Sequence, residues 1–87
     1  MNQFNAKLGV WNSRKAPHVV AVEPWGRDYT LLPGEKLEVI AFGDTSMPYF
    51  IVVELDDTTQ IFCEETAGFK VVQGDCELEC GHQRQSE

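Results

Sequence analysis

A chain of 87 residues holds one domain. At this length it buries only about 60–65% of the surface that its unfolded form exposes, so its core is thin. Fourteen acidic residues against seven basic ones give a formal net charge of −7, a field that repels nucleic-acid phosphate and anionic membranes and excludes both as partners.

The apolar pattern repeats every two residues, the period of strands rather than helices. Lys7–Asn12 is a candidate first strand. His18–Val22 is rich in β-branched residues and stops at Pro24. Arg27–Leu32 alternates and ends at Pro33-Gly34. Lys36–Phe42 ends at Gly43. Tyr49–Leu55 follows Pro48 and ends at Asp56-Asp57, a natural hairpin turn. Thr59–Cys63 ends at Glu64-Glu65, and Phe69–Gln73 at Gly74-Asp75. Cys76–Cys80 ends at Gly81, which also weakens a helix over Cys76–Arg84. Residues 1–6 and 82–87 are expected to fray.

Short apolar runs bounded by Gly, Pro and Asp predict an all-β domain, a compact antiparallel β-sandwich or barrel of about seven strands. Neighbouring strands should pair as antiparallel hairpins. Tyr49–Leu55, the most apolar run, is expected to be a central strand covered on both faces, with Lys36–Phe42 similarly placed. The charged runs Arg27–Leu32 and Cys76–Cys80 suit edges. The expected core is Val20, Val22, Leu31, Leu37, Val39, Ile51, Val53, Ile61, Val71 and Leu78.

Two turns are specified by chemistry. Pro24 fixes φ and Gly26 accepts φ > 0, so Pro24-Trp25-Gly26 makes a tight turn after a strand. Pro33-Gly34 suits a type II turn. Trp25 either folds back on the core or anchors a ligand or partner, because Trp offers large contact area at low entropic cost. The contact residues this suggests are Trp25, Arg27, Tyr29 and Tyr49.

The string Glu23-Pro24-Trp25-Gly26, followed by Tyr29 and by Leu31-Leu32-Pro33-Gly34-Glu35, resembles small uncharacterised bacterial all-β proteins that share it. That resemblance implies an all-β fold and brings no activity with it. Pro33-Gly34-Glu35 before a strand is also similar to the cupins. Metal-dependent cupins carry two histidines and a glutamate on adjacent strands, whereas the run here is Leu37-Glu38-Val39-Ile40, without histidine.

Cys63, Cys76, Cys80 and His82 are the residue types of a Cys₃His zinc site. Strand geometry opposes it: residues 76 and 80 of one strand lie roughly 13 Å apart, too far to share a metal or a disulfide. A metal site at Cys76, Cys80 and His82 therefore requires an irregular or helical segment. His18 starts an apolar strand and reads as a half-buried histidine rather than a catalytic base. Asp44, Asp56 and Asp57 lack the loop spacing of a calcium site. Three cysteines make no paired disulfide framework, no apolar stretch of ~18 residues is present, and the first residues carry no apolar leader, which together point to the cytoplasm.

Charge is uneven along the chain. Residues 1–43 carry a net +1 and residues 44–87 a net −8, which suits a solvated acidic face, a basic partner or self-association. No cofactor is implied. With no catalytic constellation in view, the expected function is a non-enzymatic binding or accessory module, partnered by a second copy in a homodimer or by another protein. The alternatives are a small cupin-like enzyme or metal-binding protein, and a structural subunit of a larger assembly.

Overall fold

The computed structural model describes residues 4–78. They form eight strands: β1 (Phe4–Trp11), β2 (His18–Glu23), β3 (Arg27–Leu31), β4 (Lys36–Gly43), β5 (Tyr49–Glu54), β6 (Thr58–Glu64), β7 (Gly68–Gln73) and β8 (Cys76–Leu78). The first begins at Phe4, earlier than the candidate at Lys7, because Phe4, Ala6, Leu8 and Val10 alternate with exposed neighbours. Cys76–Leu78 is extended rather than helical, and Glu79–Arg84 lies outside the described residues. No described helix is long and apolar enough to cross a membrane.

The strands make two four-stranded sheets, β1-β4-β7-β8 and β3-β2-β6-β5. Both sheets are open, so the architecture is a sandwich and the barrel alternative falls. Hairpins join β2 to β3, β5 to β6 and β7 to β8. One pairing departs from the antiparallel expectation: β2 runs parallel to β6. After β3 the chain crosses to the other sheet to make β4, and returns only with the β5–β6 hairpin, which lays β6 beside β2 in the same direction. Local pattern does not encode that crossover.

Turn chemistry sets the crossings. Gly34 has φ +86°, and Glu35 N–H donates to Leu32 O at 3.0 Å, which is the type II turn expected of Pro33-Gly34. Gly26 has φ +67° in the β2–β3 turn. At Gly43 a Cβ would collide with the Ser46 carbonyl oxygen, so only glycine fits where β4 hands the chain towards β5.

The core lies between the sheets. Leu37 and Val39 of β4 and Val71 of β7 face Val20, Val22, Leu31, Ile61 and Cys63 of the other sheet, with Leu8, Val10, Phe50, Phe69 and Leu78 packed around them. In β6 the alternation is plain: Thr59, Ile61 and Cys63 are buried while their neighbours are half-buried.

Strand β5 overturns an expectation. Among the described residues it is an edge strand, paired with β6 on one side only. Ile51 is 49% exposed and Val53 38%, so neither belongs to the core. Tyr49, Ile51 and Val53 point away from the opposite sheet. Val52 points towards it but is still 43% exposed, because only the outermost strand, β1, lies above it. The strands expected at edges, β3 and β8, do end their sheets, and β4 is central as expected.

Candidate functional site

The sandwich has two open flanks. One lies between β3 and β7–β8, and three of the four contact residues named from sequence meet there. Trp25, Arg27 and Tyr29 line a cavity of about 450 Å³ with Phe69, Lys70 and Leu78. Trp25 folds back: its ring stacks on Phe69 at 4.4 Å between centroids and an interplanar angle of 29°. That stack closes one end of the core and leaves the indole 37% exposed. Tyr29 is 3% exposed and belongs to the core, which withdraws its ring from surface contact. Arg27 is exposed. Tyr49 stands on the far side of its sheet from these three, on β5, and is 52% exposed.

The cysteines are dispersed. Cys63 is buried in the core, where desolvation, with the nearby Glu64 carboxylate, pushes its thiol up to about 11. Cys76 is exposed on β8. Cys80 and His82 lie outside the described residues. Among the described residues no three His, Cys, Asp or Glu side chains group as metal ligands.

The second flank lies between β1 and β5, and it holds what sequence reasoning missed. A cavity of about 210 Å³ opens there, lined by Leu8, Val10 and Trp11 of β1, Val52 and Glu54 of β5, and Arg14, His18 and Thr59. His18 Nε2 lies 2.8 Å from Thr59 Oγ1, and the Thr59 hydroxyl donates to Glu54 Oε1 at 2.8 Å. A hydroxyl has one proton to give, so Thr59 accepts from His18 and the imidazole carries its proton on Nε2. Nδ1 is then a bare acceptor, buried and without a protein partner. Burial, and after it the Arg14 cation, holds the His18 pKa below its ordinary 6.5, while Glu54 and Asp57 pull the other way. Arg14 completes the chain with an exposed ion pair to Glu54 at 3.9 Å.

Asn12 positions that arginine. Its side chain is fully buried and donates to Ala16 O and Leu31 O, both at 2.9 Å, while its Oδ1 accepts from the Arg14 N–H at 3.0 Å. Its backbone is clamped to the Pro33-Gly34 turn, with Asn12 N–H donating to Glu35 O and Gly34 N–H to Asn12 O, both at 2.8 Å. Residues 12, 14, 18, 54 and 59 match no spacing motif. The available signal was a Pro-Gly turn and an Asn with nothing nearby to explain it.

A depression of about 760 Å³ runs over the outer face of β1, β4 and β7. Gly9, Glu38 and Val72 line it in neighbouring register with Trp11, which is 65% exposed.

Strand β5 concentrates the exposed apolar surface of the described residues. Met47, Tyr49, Ile51, Val52, Val53 and Leu55, six of the eight large apolar side chains exposed among the described residues, lie on β5 or beside it, and of these Val52 lines the cavity together with Trp11. Fold and flank define a small open-edged β-sandwich with an exposed apolar edge strand. No family model matches the chain, and neither a curated protein nor a solved structure matches it.

Proposed function

We propose that the protein is a non-enzymatic binding module that docks through β5, accepting an extended strand of a protein partner along that edge. The observation that carries this is a six-residue strand, apolar on both faces and, among the described residues, unpaired along one side. Edge strands are ordinarily blunted by charge, proline or short length, and β5 has only Glu54 at its end. Main-chain hydrogen bonds to the free edge supply affinity, and the cavity between Trp11 and Val52 receives a side chain of the added strand, which supplies specificity.

A photo-crosslinking amino acid at position 51, with position 28 on the opposite edge β3 as control, tests this in producing cells. Discrete covalent adducts from position 51 and none from position 28 are expected. No adduct at 51, or equal labelling at both positions, refutes docking through β5.

A further inference from the structure

We infer that the strand added to β5 is β5 of a second copy, paired antiparallel about a two-fold axis that passes through Ile51. This rests on the docking edge proposed above and names its occupant.

The free backbone groups of β5 identify themselves. Leu55 N–H donates to Thr58 O, so the amide of residue 55 points to β6. Directions alternate along a strand. The amides of Tyr49, Ile51 and Val53 therefore also point to β6, and those of Phe50, Val52 and Glu54 point to the open edge.

Residues directly opposite in an antiparallel pair present their side chains on the same face. A two-fold axis perpendicular to the sheet keeps the inner face of each copy inner. Opposed residues must then share a face, which permits an axis through a residue and forbids one between residues. With the axis at Ile51, Phe50 meets Val52 of the second copy, Tyr49 meets Val53, and Ile51 meets itself in the closer, non-hydrogen-bonded type of pair. Phe50 and Val52 exchange both main-chain hydrogen bonds. Every opposed pair from 49 to 53 is apolar. Glu54 falls opposite Pro48 of the second copy, which accepts through its carbonyl and has no N–H to waste. The two Glu54 carboxylates are then held roughly 20 Å apart along the ribbon. Moving the axis to Val52 sets Phe50 against Glu54 and brings those carboxylates closer.

The other free edges make poorer mates. β1 alternates its apolar residues with exposed Asn5, Lys7 and Gly9, β3 presents Arg27 and Asp28, and β8 has three residues in the described chain. Pairing β5 with a different edge is head-to-tail and does not close, whereas β5 with itself closes as a dimer. The exposed fractions of Tyr49, Ile51, Val52, Val53 and Leu55 amount to on the order of 400 Å² of apolar surface along both faces of the strand, within the range of the largest patch on a monomer. That is about half of a standard interface per partner. The dimer is therefore expected to be weak and reversible, since area alone does not set affinity. Each copy carries −7, so added salt should tighten it.

The test uses the full chain with two variants at the axis, Ile51→Lys and Ile51→Glu. Position 51 is half-exposed, so both fold, which circular dichroism and thermal melting verify. Wild type is expected to dimerise by sedimentation equilibrium, with the amides of Phe50, Val52 and Glu54 gaining exchange protection as concentration rises. Each variant alone is expected to be monomeric, since like charges meet at the axis. The equimolar mixture is expected to restore the dimer, at least tenfold tighter than either variant alone. A monomeric wild type at up to about 1 mM overturns the proposal, as does a dimer whose three edge amides stay unprotected, or a mixture no tighter than its components. A position-51 crosslink to a different protein overturns the second copy as occupant while leaving the docking edge standing. Absence of any adduct removes both.

Discussion

Asn12 should be the polar residue whose loss costs most. Replacing it with alanine removes three side-chain hydrogen bonds, to Ala16 O, Leu31 O and Arg14 N. At about 1 kcal/mol each these amount to roughly 3 kcal/mol, and the Leu31 carbonyl, left under-satisfied in a buried site, adds about 1 more. A domain of this size has roughly 4–13 kcal/mol in total. Each kcal/mol moves the midpoint by about 4–8 °C, so Asn12→Ala should melt roughly 15–30 °C below wild type. Urea unfolding followed by Trp fluorescence, with calorimetry, measures both. Ser13→Ala, in the same loop but exposed, should stay within about 0.5 kcal/mol. Asn12→Asp should cost more than alanine, because an oxygen then faces two carbonyl oxygens in place of a donor. A loss under about 1 kcal/mol for Asn12→Ala would refute the reasoning, since it would mean that the backbone clamp to Glu35 and Gly34 alone orders the loop.

Two titrations follow from the buried groups. The folded-state pKa of His18 lies below 6.5, so as pH falls the unfolded chain takes up its proton first. Stability should be level above about pH 7.5 and decline below 6.5, with a slope from this group of at most about 1.4 kcal/mol per pH unit. His18→Asn should flatten the profile by that difference, and superimposable profiles would sink the assignment. Cys63 titrates near 11 when folded against 9.0 when not, so its contribution is present below pH 9 and is lost as pH climbs from 9 towards 11. With Cys76 and Cys80 both changed to serine, Cys63 should resist a thiol reagent at about pH 8 until urea unfolds the chain. Native-state labelling at the rate of a free thiol would show that the core admits the reagent.

Local chemistry made much of this fold legible. Pro33-Gly34 declared its turn, and so did Pro24-Trp25-Gly26. The period of two located β2 to β7 to within a residue but started β1 three residues late, and Arg27 and Asp28 marked β3 as an edge. The parallel β2–β6 pairing was not legible, because it depends on where the chain goes between β3 and β5 and not on either partner. Nor was the chain of Arg14, Glu54, Thr59 and His18, whose members come from two distant parts of the sequence and from residue types that serve equally well on any wet surface. His18 looked half-buried because it begins a strand. It is fully buried because Thr59, forty-one residues on, gives its ring nitrogen a partner. Tyr29 misled in the opposite way, since an aromatic next to a charged turn reads as surface.

The most informative mismatch is β5. Tyr49-Phe50-Ile51-Val52-Val53 is apolar at every position, which in a strand ordinarily means cover on both faces. The monomer leaves it at an edge. Either the composition serves this chain's own core, or it serves a surface completed by something else, and one substitution separates the two. Val→Thr keeps shape and replaces a methyl with a hydroxyl, so its cost is that of burying the hydroxyl. At Val39, which is 0% exposed, the cost should be roughly 1–3 kcal/mol at any protein concentration. At Val52, 43% exposed, it should stay below about 0.5 kcal/mol in dilute protein, where water still reaches the hydroxyl. On raising the concentration the Val52→Thr penalty should grow, because partner binding adds to the stability of the wild type by mass action and adds less to that of the variant. Unfolding curves of both variants across a dilution series measure this directly. A concentration-independent loss at Val52 equal to that at Val39 would place β5 in the core of the monomer after all.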